Sequence, residues 1–500
     1  MKKAISLALA AMMLASVTAC SGGDTSTSGG TSETGGGSSD IETVVISMPS
    51  MNNLPSTEAA AAVSQAISEY IQGLGYNIAV DIQCSALTDY TTDMNMRLAG
   101  GEVLDIIYTG PINTAVTNGY LVNLDPYVDN VLAGAMEAVG DWDLCGIVNG
   151  SVYGIPAKKG LSLDYKYIYN QDYFTDFDMT QVTNINDLDN LFAQFKEKYP
   201  NEYPAANTYN TSLQLYSEED HTAVVGTYFA TVGDSTQLVS LFDTAAYKKS
   251  VEKAYEWRQK GYVDPEGSAQ TLSHDALTYS GACKGVVMGH SYSIPTIEQM
   301  FTMNNSYGAT FKAISLGNSS LTSNTLTYGI AYTSPHPEAA ATVLNLIWTD
   351  EYVMSTIIYG LEGVSWEWND DKSSIVYPDG LGLDSVPYTC LYSCGAFGNQ
   401  FLLYPMDGNT SAEDKIYMQE LNDTAWVAPL FGFTPSSDNV STQVAAVSNV
   451  YNQYNNALLY GDVDPATYLP EFQAALEAAG INDILADYQA QVDAWVAEYK

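Results

Sequence analysis

From residue 43 onward, short β-branched runs alternate with longer amphipathic stretches. Thr43-Val44-Val45-Ile46-Ser47, bounded by Pro49, has the continuous apolar pattern of a buried strand. Ser56 and Thr57 supply capping oxygens ahead of an Ala-rich stretch that reaches Tyr70, and Gly73 and Gly75 stop it, which predicts a helix. Residues 77–83 predict a second strand, 89–98 a helix ended by Gly100 and Gly101, and 103–108 a third strand. Such alternation predicts a parallel sheet with helices on its faces. Ligands of these sheets lie beyond the carboxyl ends of the strands, which directs attention to loops 48–53 and 108–113. Further on, 187–199 and 247–261 have amphipathic helical patterns, Pro337 opens a helix running to about Trp348, and 469–500 is a helical tail.

The first residues have a different character. Lys2 and Lys3 precede a short apolar run over 4–14 and then Val17-Thr18-Ala19-Cys20, the order of a secretory signal and too short to span a bilayer. A Cys directly after small residues resembles the lipobox of bacterial lipoproteins, in which that Cys is lipidated and becomes the mature N-terminus; Val17 stands where Leu is commoner. The Gly/Ser/Thr tract through Ser39 fits a flexible tether, so folded structure is expected from about Ile41.

Composition narrows the function classes. The net charge of −40, from 58 acidic and 18 basic residues without a long acidic block, makes an acidic solvated surface and leaves no basic stripe for nucleic acid. Beyond Cys20 stand Cys84, Cys145, Cys283, Cys390 and Cys394, an odd number that cannot all pair. Cys390 and Cys394 suit a local bridge, a metal pair or small buried thiols, and the last is favoured because no second Cys/His pair stands at ligand spacing. Gly289-His290-Ser291-Tyr292-Ser293 misses a nucleophile elbow at its last position, where Gly is needed. None of the four histidines forms His-Glu-x-x-His, and neither Asp370-Asp371 nor Tyr377-Pro378-Asp379-Gly380 has the alternating ligands of a calcium loop. No cofactor, metal or catalytic residue is expected. A glycosidase carboxylate pair remains open, because its spacing is spatial, not sequential.

The chain is organised around Tyr153-Gly154-Ile155-Pro156-Ala157-Lys158-Lys159-Gly160 and the run that ends Tyr169-Asn170-Gln171-Asp172. Gly154 permits backbone angles a bulky residue cannot take and Pro156 holds the chain extended, as in a crossing between lobes. This stretch resembles the Tyr-Gly-x-Pro crossing of sugar-type ABC-transporter substrate-binding lipoproteins, extracellular solute-binding protein family 1, with Gln171 where Lys is usual. Leu98-Ala99-Gly100-Gly101-Glu102-Val103-Leu104-Asp105-Ile106-Ile107, Gly119-Tyr120-Leu121-Val122-Asn123-Leu124 and Lys284-Gly285-Val286-Val287-Met288-Gly289 extend the resemblance in order. Leu344-Asn345-Leu346-Ile347-Trp348 and Gly461-Asp462-Val463-Asp464-Pro465 are similar to one subgroup.

The resemblance implies an α/β, two-lobed, type II periplasmic-binding-protein-like fold with a hinge of three crossings and a helical C-terminal extension. The expected organisation is a signal peptide at 1–19, a lipid-anchored linker at 20–42, lobe 1 from 43–156 and 285–327, and lobe 2 from 157–284 and 328–500. It also implies a monomer that captures a sugar or oligosaccharide, performs no chemistry on it and delivers it to ABC permease subunits from the outer face of the cytoplasmic membrane. A peptide or other small-solute binder and a surface glycan hydrolase are the alternatives. With 37 Tyr, 7 Trp and 13 Phe, stacking on sugar faces is the chemistry to seek. Tyr108 and Thr109 end a strand, His290 and Tyr292 follow a Gly turn, Trp366 and Trp368 follow Gly363, and Lys159 follows the crossing Pro. These are the candidate ligand contacts, with Trp366 or Trp368 closing from one lobe over Tyr108, His290 or Tyr292 from the other.

Overall fold

The computed structural model describes residues 41–51, 54–110, 112–207, 211–391 and 395–500. The expected signal peptide, the expected lipidation site Cys20, most of the expected linker, Asn52, Asn53, Pro111 and Cys394 lie outside the described residues.

In chain order the elements that matter are β1 (Glu42–Ser50), α1 (Thr57–Gly73), β2 (Ile78–Ala86), α2 (Leu87–Ala99), β3 (Ile106–Tyr108), β4 (Ile155–Pro156) and β5 (Asp164–Asn170). Next come α3 (Leu188–Lys198), α4 (Ala245–Gln259), β6 (Gly285–His290), α5 (Ile294–Asn304), β7 (Phe311–Asn318), β8 (Thr327–Ile330), α6 (Pro337–Thr349) and α7 (Glu351–Tyr359). The chain ends with α8 (Ala412–Thr424), α9 (Ser441–Leu459), α10 (Pro465–Ala479) and α11 (Ile481–Tyr499). The predicted elements of the first hundred residues are all present, with ends moved by up to three residues. Ser56 caps α1 by accepting from the Ala59 amide at 3.2 Å.

β1 is an interior strand; it pairs in parallel with β2 on one side and β3 on the other, in the five-stranded order β2-β1-β3-β8-β4. Asp105 explains the acidic residue that opens β3. Its buried carboxylate accepts from the Val45 amide at 2.8 Å and from Ser334, tying β1 to the turn that leads into α6. The core on this sheet is largely aliphatic and includes Ile46, Ile82, Ile106, Leu344 and Ile357.

A second core forms on an antiparallel three-stranded sheet, order β6-β5-β7. Its packing is aromatic, with Tyr167 from β5, Phe174 from the short helix that follows it, Phe192 and Phe195 from α3, Trp257 from α4, and Phe472 and Tyr488 from α10 and α11. The helical tail predicted at 469–500 is two helices, separated at Gly480, whose φ of 97° is the left-handed conformation in which glycine pays no Cβ penalty.

This pairing overturns the expected division of the chain. Gly285 to His290 pairs with Tyr169 to Asp164, and β7 flanks the other edge of β5, so 285–318 packs with the second core and not with lobe 1. Conversely β8 joins the first sheet, and α6, α7, Trp366, Ile375, Tyr388 and Leu403 complete its core, so 328–406 does not belong to lobe 2. Thr327–Ile330, at the expected boundary between the lobes, is a strand. Composition cannot reveal these assignments, because a strand's partner is chosen by nonlocal register.

Candidate functional site

The chain passes between the cores along 157–163, 319–326 and the segment after 406, and these passages are laced together. The Ala157 amide donates to Leu326 O at 2.7 Å, Ser319 N to Leu163 O at 2.8 Å, and Leu321 N to Trp426 O at 2.8 Å. Asn422 on α8 accepts from the Leu161 and Ser162 amides at 2.9 Å each and donates to Lys159 O at 2.8 Å. Two glycines of the organising stretch are required by close approach. A Cβ on Gly154 would lie 2.9 Å from Ile112 Cδ1, and one on Gly160 would lie 2.7 Å from Met418 Sδ and 2.8 Å from Ser291 Cβ. Neither has a positive φ, so packing and not unusual backbone angles is the reason for them.

Against these passages lies a cavity of about 310 Å³ that takes Lys159 and Gly160 from the first passage, His290 and Tyr292 from the end of β6, and Leu391 and Gln400 from the first-lobe side. Three of the predicted residues, Lys159, His290 and Tyr292, therefore meet. The His290 and Tyr292 rings are 4.5 Å apart, and His290 Nδ1 accepts from the Tyr292 amide at 3.4 Å, which leaves Nε2 as the N–H donor of a neutral imidazole. Burial, helped by the Lys166 cation and opposed by Asp414, pushes the His290 pKa down to about 4.

The shelf that carries these rings is held from behind. Lys166 is fully buried with Nζ 2.8 Å from Asp164 Oδ2, and it also donates to His290 O at 3.2 Å. Asp164 accepts further from Ser315 at 2.5 Å and Tyr417 at 2.7 Å. Burial lowers the Lys166 pKa, partly offset by Asp164. Asp414, on α8, accepts from the Ser293 amide at 2.8 Å, Thr296 Oγ1 at 2.6 Å and the Ser411 amide at 2.8 Å. Burial would raise its pKa, but these donors outweigh it and hold the carboxyl below its usual value. Thr410 Oγ1 reaches Tyr292 Oη at 3.1 Å. The loop at 290–293 is thus held by hydrogen bonds from several elements.

The other predicted residues go elsewhere. Thr109 is buried and its hydroxyl meets Thr327, tying β3 to β8. Tyr108 packs 5.9 Å from Tyr90 and 5.5 Å from Tyr328. Trp366 is 5% exposed, donates Nε1–H to Gly360 O at 3.0 Å and belongs to the first core. Trp368 packs 5.1 Å from Tyr404 on the same core. The expected closure of these tryptophans over His290 and Tyr292 also had the lobes exchanged: the His and Tyr are on the second sheet and the tryptophans on the first core. The sequence reading missed Gln400 and Leu391, which carry no local signal. It also missed a cavity of about 490 Å³ between Asn113 and Val148 on one side and Phe433, Trp495 and Tyr499 on the other. The spacing of Trp495 and Tyr499, one helical turn apart at the end of an amphipathic tail, was the available clue. Among the described residues no group of three or more His, Cys, Asp or Glu is placed to hold a metal ion.

Residues 55–354, more than half of the chain, match the family described as bacterial extracellular solute-binding protein. The chain belongs to this family. Residues 429–497 of this solute-binding protein additionally match a domain of unknown function, DUF3502. A carbohydrate ABC transporter substrate-binding protein of Streptococcus pneumoniae is 22% identical over 429 residues, covering 84% of this chain and 85% of that protein. Among solved structures, the N-glycan transport solute-binding protein NgtS of Streptococcus pneumoniae superposes with a TM-score of 0.73 at 19% identity, covering 92% of this chain and 100% of the other. Its complex with Man5GlcNAc gives 0.65 at 19% identity, covering 92% and 99%. The solute-binding protein thus has the two-lobed α/β fold with a helical C-terminal region, and the relatives it matches are binding proteins.

Proposed function

We propose that this solute-binding protein captures a sugar or oligosaccharide between its lobes and delivers it, chemically unchanged, to the permease of an ABC importer. The observation that carries the reading is the 310 Å³ cavity, whose lining brings together His290, the largely buried Tyr292, Gln400 and Lys159. A sugar presents apolar C–H faces and neutral hydroxyls, and stacking surfaces beside hydrogen-bonding groups suit both. The carbohydrate assigned to the relative from Streptococcus pneumoniae supports the same class. Because the walls come from both cores, ligand contacts are complete only when the lobes approach, so binding shifts an open–closed equilibrium. Lys159, His290 and Tyr292 are the ligand contacts, and a monomer held at the membrane surface by lipid on Cys20 completes the proposal.

A glycan array followed by calorimetry and mass analysis of the recovered ligand tests it. Saturable binding of a glycan recovered at its original mass, with a smaller radius of gyration in solution scattering, is expected. Binding confined to peptides, or recovery of a cleaved glycan, would replace the reading. Cys20→Ala is expected to release the protein into the medium or leave the signal uncleaved; an unchanged membrane fraction would remove the anchor.

A further inference from the structure

Cys84 and Cys390, 306 residues apart in sequence, bring their Sγ atoms to 4.0 Å in the first core. Both are free thiols. Cys84 lies near the carboxyl end of β2, opposite Met48 of β1, and Cys390 is fully buried. The Cys390 segment is fixed on α7, with its amide donating to Ile358 O at 2.8 Å and the Tyr388 hydroxyl donating to Ile357 O at 2.8 Å. Thiols that only fill a core need no sulfur neighbour. Here β2 and the segment after α7 hold two sulfurs about 2 Å beyond bonding distance.

We propose that Cys84 and Cys390 are a modification site of the exported protein, oxidised to a disulfide that ties β2 to the segment lining the ligand cavity. The family is extracellular, and extracellular compartments permit disulfides to persist. Leu391, next in sequence to Cys390, is part of the wall of the 310 Å³ cavity. The bond therefore anchors one wall of the cleft at the carboxyl end of the sheet, where ligands of open α/β sheets lie.

The chemistry balances as thiol–disulfide exchange with a small external disulfide. Half-buried Cys84 is the sulfur that such an oxidant reaches. Its sulfur attacks the external S–S bond, forming a mixed disulfide and releasing one thiol. Cys390 then attacks the Cys84 sulfur, the mixed bond breaks, and the second external thiol leaves. The protons of the two cysteines end on the released thiols, so one external disulfide is reduced as one internal disulfide forms.

The test uses the mature full-length protein, purified without reductant, equilibrated natively with glutathione disulfide, alkylated and digested. A Cys84–Cys390 cross-linked peptide that disappears on reduction is expected. The oxidised protein should melt on the order of 5 °C above the reduced protein, because the bond closes a very long loop of the unfolded chain. That difference should be absent in Cys84→Ala, a substitution at the half-buried partner. Recovery of both cysteines alkylated after native equilibration would overturn the proposal, and so would Cys390 cross-linked to Cys394. Neither readout depends on which solute the cleft takes.

Discussion

β1 and β5 are both buried strands in the interior of a sheet, and they reach burial by opposite means. Along β1 the buried side chains of Val44, Ile46 and Met48 are apolar, and the strand is stabilised by removing hydrocarbon from water. All seven residues of β5 are buried too, yet Asp164, Lys166 and Asn170 are among them. There the tyrosine hydroxyls find partners, Tyr165 donating to Gln214 at 2.6 Å and Tyr167 to Pro204 O at 2.8 Å, and the Lys166–Asp164 pair neutralises itself. A strand buried mainly through hydrocarbon tolerates loss of shape gradually, whereas a charged one depends on every partner being present. The second kind sits directly behind the shelf that carries His290 and Tyr292.

The largest expected effect tests that contrast on the second sheet. Lys166→Ala leaves Asp164 buried and uncompensated and should cost about 3–5 kcal/mol in denaturant unfolding. A loss below about 1 kcal/mol would mean that water or a rotated partner satisfies Asp164 and that the pair matters little.

On the first sheet, Ile46→Ala should cost about 3 kcal/mol, through lost hydrocarbon burial and the cavity it leaves. Its effect should be nearly independent of pH between 5 and 8, since no titratable partner is exposed; a pH-dependent loss would erase the distinction between the two strands.

Ligand affinity separates the regions next. Tyr292→Ala should weaken glycan binding about tenfold, a stacking loss near 1.4 kcal/mol, as measured by calorimetry. Trp366→Phe, at a core position, should leave the affinity of the folded protein unchanged. The reverse outcome would move the site to the first core.

The smallest effect is on pH. His290, neutral in the fold with a pKa of about 4, takes up a proton more readily when unfolded, near its ordinary 6.5. Stability from this group is therefore complete above that ordinary value and is lost as pH falls from 6.5 towards 4, on the order of 1 kcal/mol between pH 7 and 6. His290→Gln should flatten the curve in that window. Asp414, held low, acts in the opposite sense to a raised acid: its stability is present above the ordinary carboxylate range and is lost only at lower pH, as the carboxylate is protonated in the fold.

Local rules carried the sequence reading far. Side-chain periodicity, the Ser56 cap and the Gly stops located the alternating elements of the first lobe because capping, propensity and strand burial act over a few residues. The crossing stretch was legible and led to Lys159; the Gly turn expected before His290 is instead the end of β6, whose last residues carry His290 to the cavity. What remained hidden was nonlocal. Trp366 and Trp368 are aromatic residues in a loop whether they face a cleft or a core, and only the Gly360 carbonyl and the Tyr404 ring decide it. The lobe to which β6, β8, α6 and α7 belong was decided by strand register and by contacts across more than a hundred residues. Sequence alone determined the elements, the family resemblance and three residues of the cavity, because those signals are local. Tertiary structure alone decided that Gln400 and Leu391 face them and that Cys84 meets Cys390, because burial energy rewards proximity in space without regard to distance along the chain.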